Sequence, residues 1–168
     1  GSTPLGFMMA TLMRQASSCI FGLAPLLKAM ISHRLHEVMM DCCDEDGSVT
    51  VEEVNRFSMG DLETDFVAMA NRVIELSENL PQTDEKLERL YEVIESKTHQ
   101  PNNKIILFSS FRHTLYYLEH HLTEKGYRVA QINGSVKDED RLALRQRFEL
   151  PKENDNALDI LLFTEVGC

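Results

Sequence analysis

Three short apolar runs recur in the second half of the chain: Ile105-Ile106-Leu107-Phe108, the stretch 127–132 around Val129 and Ile132, and Ile160-Leu161-Leu162-Phe163. The first runs without alternation between Pro101-Asn102-Asn103 and Ser109-Ser110. That is too short for an independent helix, and it predicts a strand buried on both faces. Between the runs, apolar residues fall at spacings of three and four. Leu87, Leu90, Tyr91 and Ile94 predict the inner face of a helix starting at Thr83 or Asp84. A second helix is predicted from His113 to Lys125, closed by Gly126, and a third from Lys137 to Phe148. Helix and strand alternate throughout, the rhythm of a parallel sheet covered by helices.

The first half has a different pattern. Met8, Leu12, Met13, Ala16, Cys19 and Ile20, then Leu23, Leu26, Leu27, Met30 and Ile31, predict helix over 5–40, with a break marked by Gly22 and Pro25. A further helix is expected to reach Asn79, capped by Ser58 or Asp61, with Leu62, Phe66, Met69, Val73 and Leu76 buried and Pro81 beyond its end. The chain therefore divides into a helical segment, 1–80, containing an acidic linker over 41–60, and an α/β region, 81–168.

Charge changes this picture little. A formal net charge of -10 argues against a broadly basic surface. The acids crowd into the middle of the chain, which leaves room for a local basic patch elsewhere. The stretch Asp44 to Glu53 imitates a calcium loop with Gly47 at its turn. Cys42 would occupy the first ligand position, a poor partner for a hard cation, so the stretch reads as a solvated connection. Scattered Cys19, Cys42, Cys43 and Cys168 fit a reduced, cytoplasmic protein. The apolar stretch 19–41 is interrupted by Lys28, His33, Arg34 and Glu37, so no membrane span is expected. The last apolar run is followed by Gly167-Cys168 with no closing helix, and we expect a piece of a longer polypeptide.

Open parallel sheets place ligands beyond the carboxyl ends of their strands. The residues there are Ser109, Ser110, Arg112 and His113; then Asn133, Gly134 and Ser135, with Arg141, Arg145 and Arg147 on the next helix; then Thr164 and Gly167. Hydroxyls, small residues and arginines suit phosphate oxygens, though helix caps and turns explain several of them as well. No phosphate loop ending in Gly-Lys-Ser/Thr occurs. His120 and His121, adjacent on a helix, are not expected to face one metal, and His113 has no acid or cysteine partner nearby in sequence.

These residues resemble a known family. Leu107 to Phe111 resembles the fourth motif of the second RecA-like lobe of superfamily 2 helicases. The span Asn133-Gly134-Ser135 to Arg141 to Phe148 resembles motif four-a, and Thr164 to Cys168 the opening of motif five. Bacterial helicase-like proteins related to chromatin-remodelling ATPases resemble it most, and Arg14 to Ser18 resembles the segment leading into the lobe. The resemblance covers 83–168. It implies an incomplete RecA-like three-layer α/β domain with a parallel sheet, preceded by an all-helical segment. It implies a nucleic-acid-dependent ATPase, helicase or duplex translocase, whose second lobe grips the nucleic-acid backbone, with double-stranded DNA favoured. Ser109, Ser110, Gly134, Ser135, Arg141 and Thr164 are the implied backbone or support contacts, and Gly167 would lie near the nucleotide. No catalytic or metal-binding residue is implied in this stretch. ATP and Mg would bind only in the intact protein, with an N-terminal RecA-like lobe as partner. Self-association through an open sheet edge is a further expectation. The alternative is a non-catalytic α/β interaction or regulatory module.

Overall fold

The protein is described from a computed structural model, which covers residues 4–31, 64–81, 83–134 and 136–164. The acidic connection 41–60, its calcium-loop-like stretch and the proposed caps at Ser58 and Asp61 lie outside the described residues, as do Ser135 and Gly167. The chain divides into two compact units, Gly1–Leu80 and Pro81–Cys168. No helix among the described residues is long and apolar enough to cross a membrane.

In the first unit, α1 (Pro4–Ser18) gives way to a 3-10 turn (Ile20–Gly22), then α2 (Leu23–Ile31) and α3 (Thr64–Glu78). The chain leaves the helical conformation at Cys19, which is extended, and the Gln15 amide donates to the Cys19 carbonyl at 3.1 Å. The break thus precedes its expected place. Pro25 is the third residue of α2, in the first turn, where no amide donor is needed within the helix. Leu23, Ala24, Leu26, Leu27 and Met30 of α2 pack against Ala70 and Ile74 of α3. The expected inner face of α3 is corrected by this packing at Met69, Val73 and Leu76, while Leu62 and the side chain of Phe66 lie outside the described residues. Met69, Val73 and Leu76 are exposed, because the helix turns its smaller Ala70 toward α2 and brings Ile74 with it.

In the second unit, α4 (Glu85–Thr98) begins at Asp84. Its carboxylate accepts hydrogen bonds from the amides of Lys86 (2.9 Å) and Leu87 (3.3 Å), a side-chain N-cap. Then follow β1 (Ile105–Phe108), α5 (Arg112–Glu124), β2 (Val129–Ile132), α6 (Asp138–Glu149) and β3 (Ile160–Phe163). Gly126, at φ 90°, closes α5; its amide donates to Thr123 and that of Tyr127 to Leu122, satisfying two terminal carbonyls. All strand pairs are parallel, in the order β1-β3-β2.

Alternation sorts the side chains into two layers. Ile105, Leu107, Val129, Ile160 and Leu162 face Leu90, Tyr91 and Ile94 of α4 and Leu115, Leu118 and Leu122 of α5. Ala130, Ile132, Leu161 and Phe163 face Leu144 and Phe148 of α6. All four residues of β3 are buried, and such burial stabilises by about 1.5–3 kcal/mol for each large side chain. This is the α/β architecture with a helix-covered parallel sheet that the pattern implied, in the three layers, preceded by helices, that the resemblance implied.

A further expectation fails. The strand at 105–108 is not buried on both faces; Ile106 is 46% exposed and Phe108 61%. Among the described residues β1 is an edge strand, and the α6 layer packs over β2 and β3. The organising strand is β3, the last in sequence.

Candidate functional site

The register carries the three strand ends to one line. Phe108 and Ile132 both stand opposite Phe163, so the next residues, Ser109, Asn133 and Thr164, follow at the carboxyl edge of the sheet. Two ladder bonds extend into this row. The Ser109 amide donates to Phe163 O at 3.0 Å, and the Thr164 amide donates to Ile132 O at 3.2 Å. With strands about 4.8 Å apart, the row places Thr164 between Ser109 and Asn133.

Ser109 also organises the turn into α5. Its hydroxyl accepts from the Phe111 amide at 3.1 Å, and the Phe111 carbonyl accepts from the amides of Thr114 and Leu115, the first bonds of the helix. Ser110 is half-buried beside it. No acid stands in the first turn of α5, and Arg112 is its first residue. His113 is half-buried; burial first, then the neighbouring Arg112 charge, pushes its imidazole below the ordinary value and so favours the neutral ring. This helix end therefore combines the positive end of its dipole with an arginine.

The other helix at this edge has the opposite character. α6 opens with Asp138, Glu139 and Asp140, which complement its own dipole and would repel phosphate. Asn133 is 6% exposed and Gly134 is exposed. Arg141, from the first turns of α6, reaches back into the strand-to-helix connection: Nε donates to Val136 O at 2.8 Å and Nη2 to Asn133 O at 3.1 Å. Asp138 lies 3.9 Å away, an ion pair at the limit of contact.

The structure thus brings Ser109, Ser110, Gly134, Arg141 and Thr164 to one edge, while Ser135 and Gly167 fall outside the described residues. Arg145 and Arg147 do not join them. Arg145 is exposed, and Arg147 donates to Asn156 O at 3.0 Å on the loop that leads to the start of β3. Asn133, absent from the implied contacts, belongs to the row by geometry. Its position one residue past a strand was the available signal.

Among the described residues, no group of three or more His, Cys, Asp or Glu could hold a metal ion. His120 and His121 do approach a single carboxylate, each 3.5 Å from Glu124 Oε2, but His120 is a surface side chain. A shallow groove lined by Arg89, Val93, Ser96 and Gln100 runs along α4 and its last turn, which lead into the start of β1 and so lie away from the carboxyl edge.

Residues 85–167 match the family model described as the helicase conserved C-terminal domain. The CHD3-type chromatin-remodeling factor CHR7 of Arabidopsis thaliana is 31% identical over 71 residues, 42% of this chain and 6% of that protein. The ATP-dependent RNA helicase RhlB of Sodalis glossinidius (strain morsitans) is 26% identical over 166 residues, 98% of this chain and 35% of that protein. The ATP-dependent DNA helicase DDM1 of Arabidopsis thaliana is 32% identical over 79 residues, 47% of this chain and 10% of that protein. The chain therefore spans between 6% and 35% of the length of these relatives. No solved structure matches it.

Proposed function

We propose that the chain, whose residues 85–167 match the helicase conserved C-terminal domain, is the second RecA-like lobe of a nucleic-acid-dependent ATPase related to superfamily 2 helicases. The intact protein is a helicase or duplex translocase of the chromatin-remodeller-like group, working in the cytoplasm. Residues 1–80 lead into the lobe, and 81–168 form it. The observation that carries this reading is the in-register row of Ser109, Thr164 and Asn133 at the carboxyl edge, inside the matched residues.

Ser109, Ser110, Gly134, Ser135 and Thr164 supply hydroxyls and backbone to phosphate oxygens, with Arg141 supporting them. Such contacts position a nucleic acid without reading its sequence. Gly167 contributes to the nucleotide site. ATP and Mg bind when an N-terminal RecA-like lobe closes on this one and brings the phosphate loop. Binding by the chain alone is weak and salt-sensitive, since its overall charge of -10 opposes a polyanion. Double-stranded DNA is the preferred ligand, in keeping with the remodelling factor and the DNA helicase among the relatives. RNA is the second reading, because the RNA helicase aligns along 98% of the chain. The open edge of β1 adds a route to self-association.

The test is ATP turnover by the full-length gene product with no nucleic acid, with duplex DNA and with RNA. Stimulation by duplex DNA is expected; stimulation by RNA alone transfers the assignment to RNA. No turnover under any condition overturns the motor and leaves a non-catalytic interaction module. Robust turnover by the 168-residue chain alone, abolished by Thr164→Ala, contradicts the division of labour between lobes.

A further inference from the structure

We propose that Arg141 is a positioning residue of the carboxyl edge, a brace that fixes the connection after β2, and not a phosphate ligand. The inference rests on the nucleic-acid reading above for its functional consequence, and on hydrogen bonds alone for its structural part. An arginine near a row of hydroxyls invites assignment to phosphate. Here the guanidinium points back into its own chain. Nε donates to Val136 O and Nη2 to Asn133 O, at 2.8 and 3.1 Å, while the Val136 amide donates to the same Asn133 carbonyl at 3.1 Å.

These bonds tie residue 141 to residues five and eight positions earlier. They close the entry to α6 around the carbonyl of Asn133, the residue that follows β2 in the row. The side chain is 20% exposed, with the Asp138 carboxylate 3.9 Å from Nε. A guanidinium suits this task because its nitrogens are held in one plane and can meet two diverging carbonyls at once. A lysine has one nitrogen on a flexible stem and cannot reproduce that geometry.

The brace and the ligand make different predictions for a charge-conserving change. The 168-residue chain, with Arg141→Lys, Arg141→Ala and the exposed control Arg145→Ala, is titrated against a fluorescent duplex DNA across a salt series. Hydrogen exchange at the Val136 amide is followed in the same proteins. For a brace, both Arg141 variants weaken binding about tenfold, as expected for two lost hydrogen bonds, with the slope of log affinity against log salt unchanged. Val136 exchanges faster in both. The proposal is overturned if Arg141→Lys binds like wild type, or if Arg141→Ala lowers the slope by about one while Val136 keeps its protection. If wild type fails to bind the duplex at any salt concentration, the nucleic-acid reading of this edge falls. The exchange data then decide the brace alone: faster exchange at Val136 upholds it, and unchanged exchange overturns it.

Discussion

Arg128 and Asp159 stand one residue before β2 and β3, at the end of the sheet opposite the candidate site. The guanidinium grips the carboxylate through Nε–Oδ2 at 2.9 Å and Nη2–Oδ1 at 2.7 Å, and the Arg128 amide adds a third bond at 3.0 Å. The same guanidinium donates to the carbonyls of Asn154 and Lys152. Burial by itself would push the Asp159 carboxyl up. The hydrogen bonds and charge of Arg128 outweigh it and hold the group below the ordinary carboxylate range. A depressed carboxyl contributes stability that is present above its unfolded value, about 3.9, and is lost as pH falls through the folded value. Asp159→Asn should cost about 2 kcal/mol at pH 7, the scale of a bidentate charged pair that is partly screened by solvent. In urea denaturation followed by circular dichroism, the gap between wild type and variant should narrow below about pH 3.9. A gap that stays constant to pH 2 would refute the clamp. Neither partner stands out in the sequence, where 31 positions separate them. Arg141 was hidden in the same way: its charge was visible, but its carbonyl partners were not.

At the scale of elements, the class was legible because helix and strand periods alternate cleanly, and the strand ends located the row of Ser109, Asn133 and Thr164. Sheet order was not legible. IILF and ILLF have nearly the same composition, yet one is an edge strand and the other the buried centre. The difference arises from a crossover that no local pattern records. The rotation of α3 was equally silent, since Met69/Val73/Leu76 and Ala70/Ile74 are both helical stripes, one residue apart. By contrast, the start of α4 was read correctly from Thr83-Asp84, and its cap has a measurable consequence. Asp84 Oδ1 accepts from two backbone amides, and Oδ2 accepts from the Tyr117 hydroxyl at 3.0 Å, which joins α4 to α5. Asp84→Ala should lower stability by about 1–2 kcal/mol, the range of a lost N-cap with one further hydrogen bond. Tyr117→Phe should lose only the part carried by that bond. Equal losses in the two variants, measured by chemical denaturation, would assign the whole effect to the Tyr117 contact and none to the cap.

For the whole molecule, two opposing features meet at β1. The amides of Ile105 and Ser109 donate to Asp159 and Phe163 of the neighbouring chain segment, so those of Ile106 and Phe108 face the edge that no other described strand covers. Ile106 and Phe108 also project from the sheet face on which α6 packs over β2 and β3, and no charge or proline within IILF guards the edge. Such an edge pairs readily with another strand. Against this stands the net charge of -10, which repels a second copy over about 10 Å at 0.1 M salt and much less at 1 M. Association of the 168-residue chain should therefore grow with both protein and salt concentration in sedimentation velocity. Ile106→Lys places a gatekeeper charge on the open face, whereas Phe108 is a poorer choice because its ring stacks on Phe163 at 5.5 Å. The lysine variant should stay monomeric at salt concentrations where wild type associates, with stability changed by less than about 1 kcal/mol at so exposed a site. If it associates as strongly as wild type, the contact lies elsewhere. The exposed Met69, Val73 and Leu76 of α3 would then be the next stripe to charge.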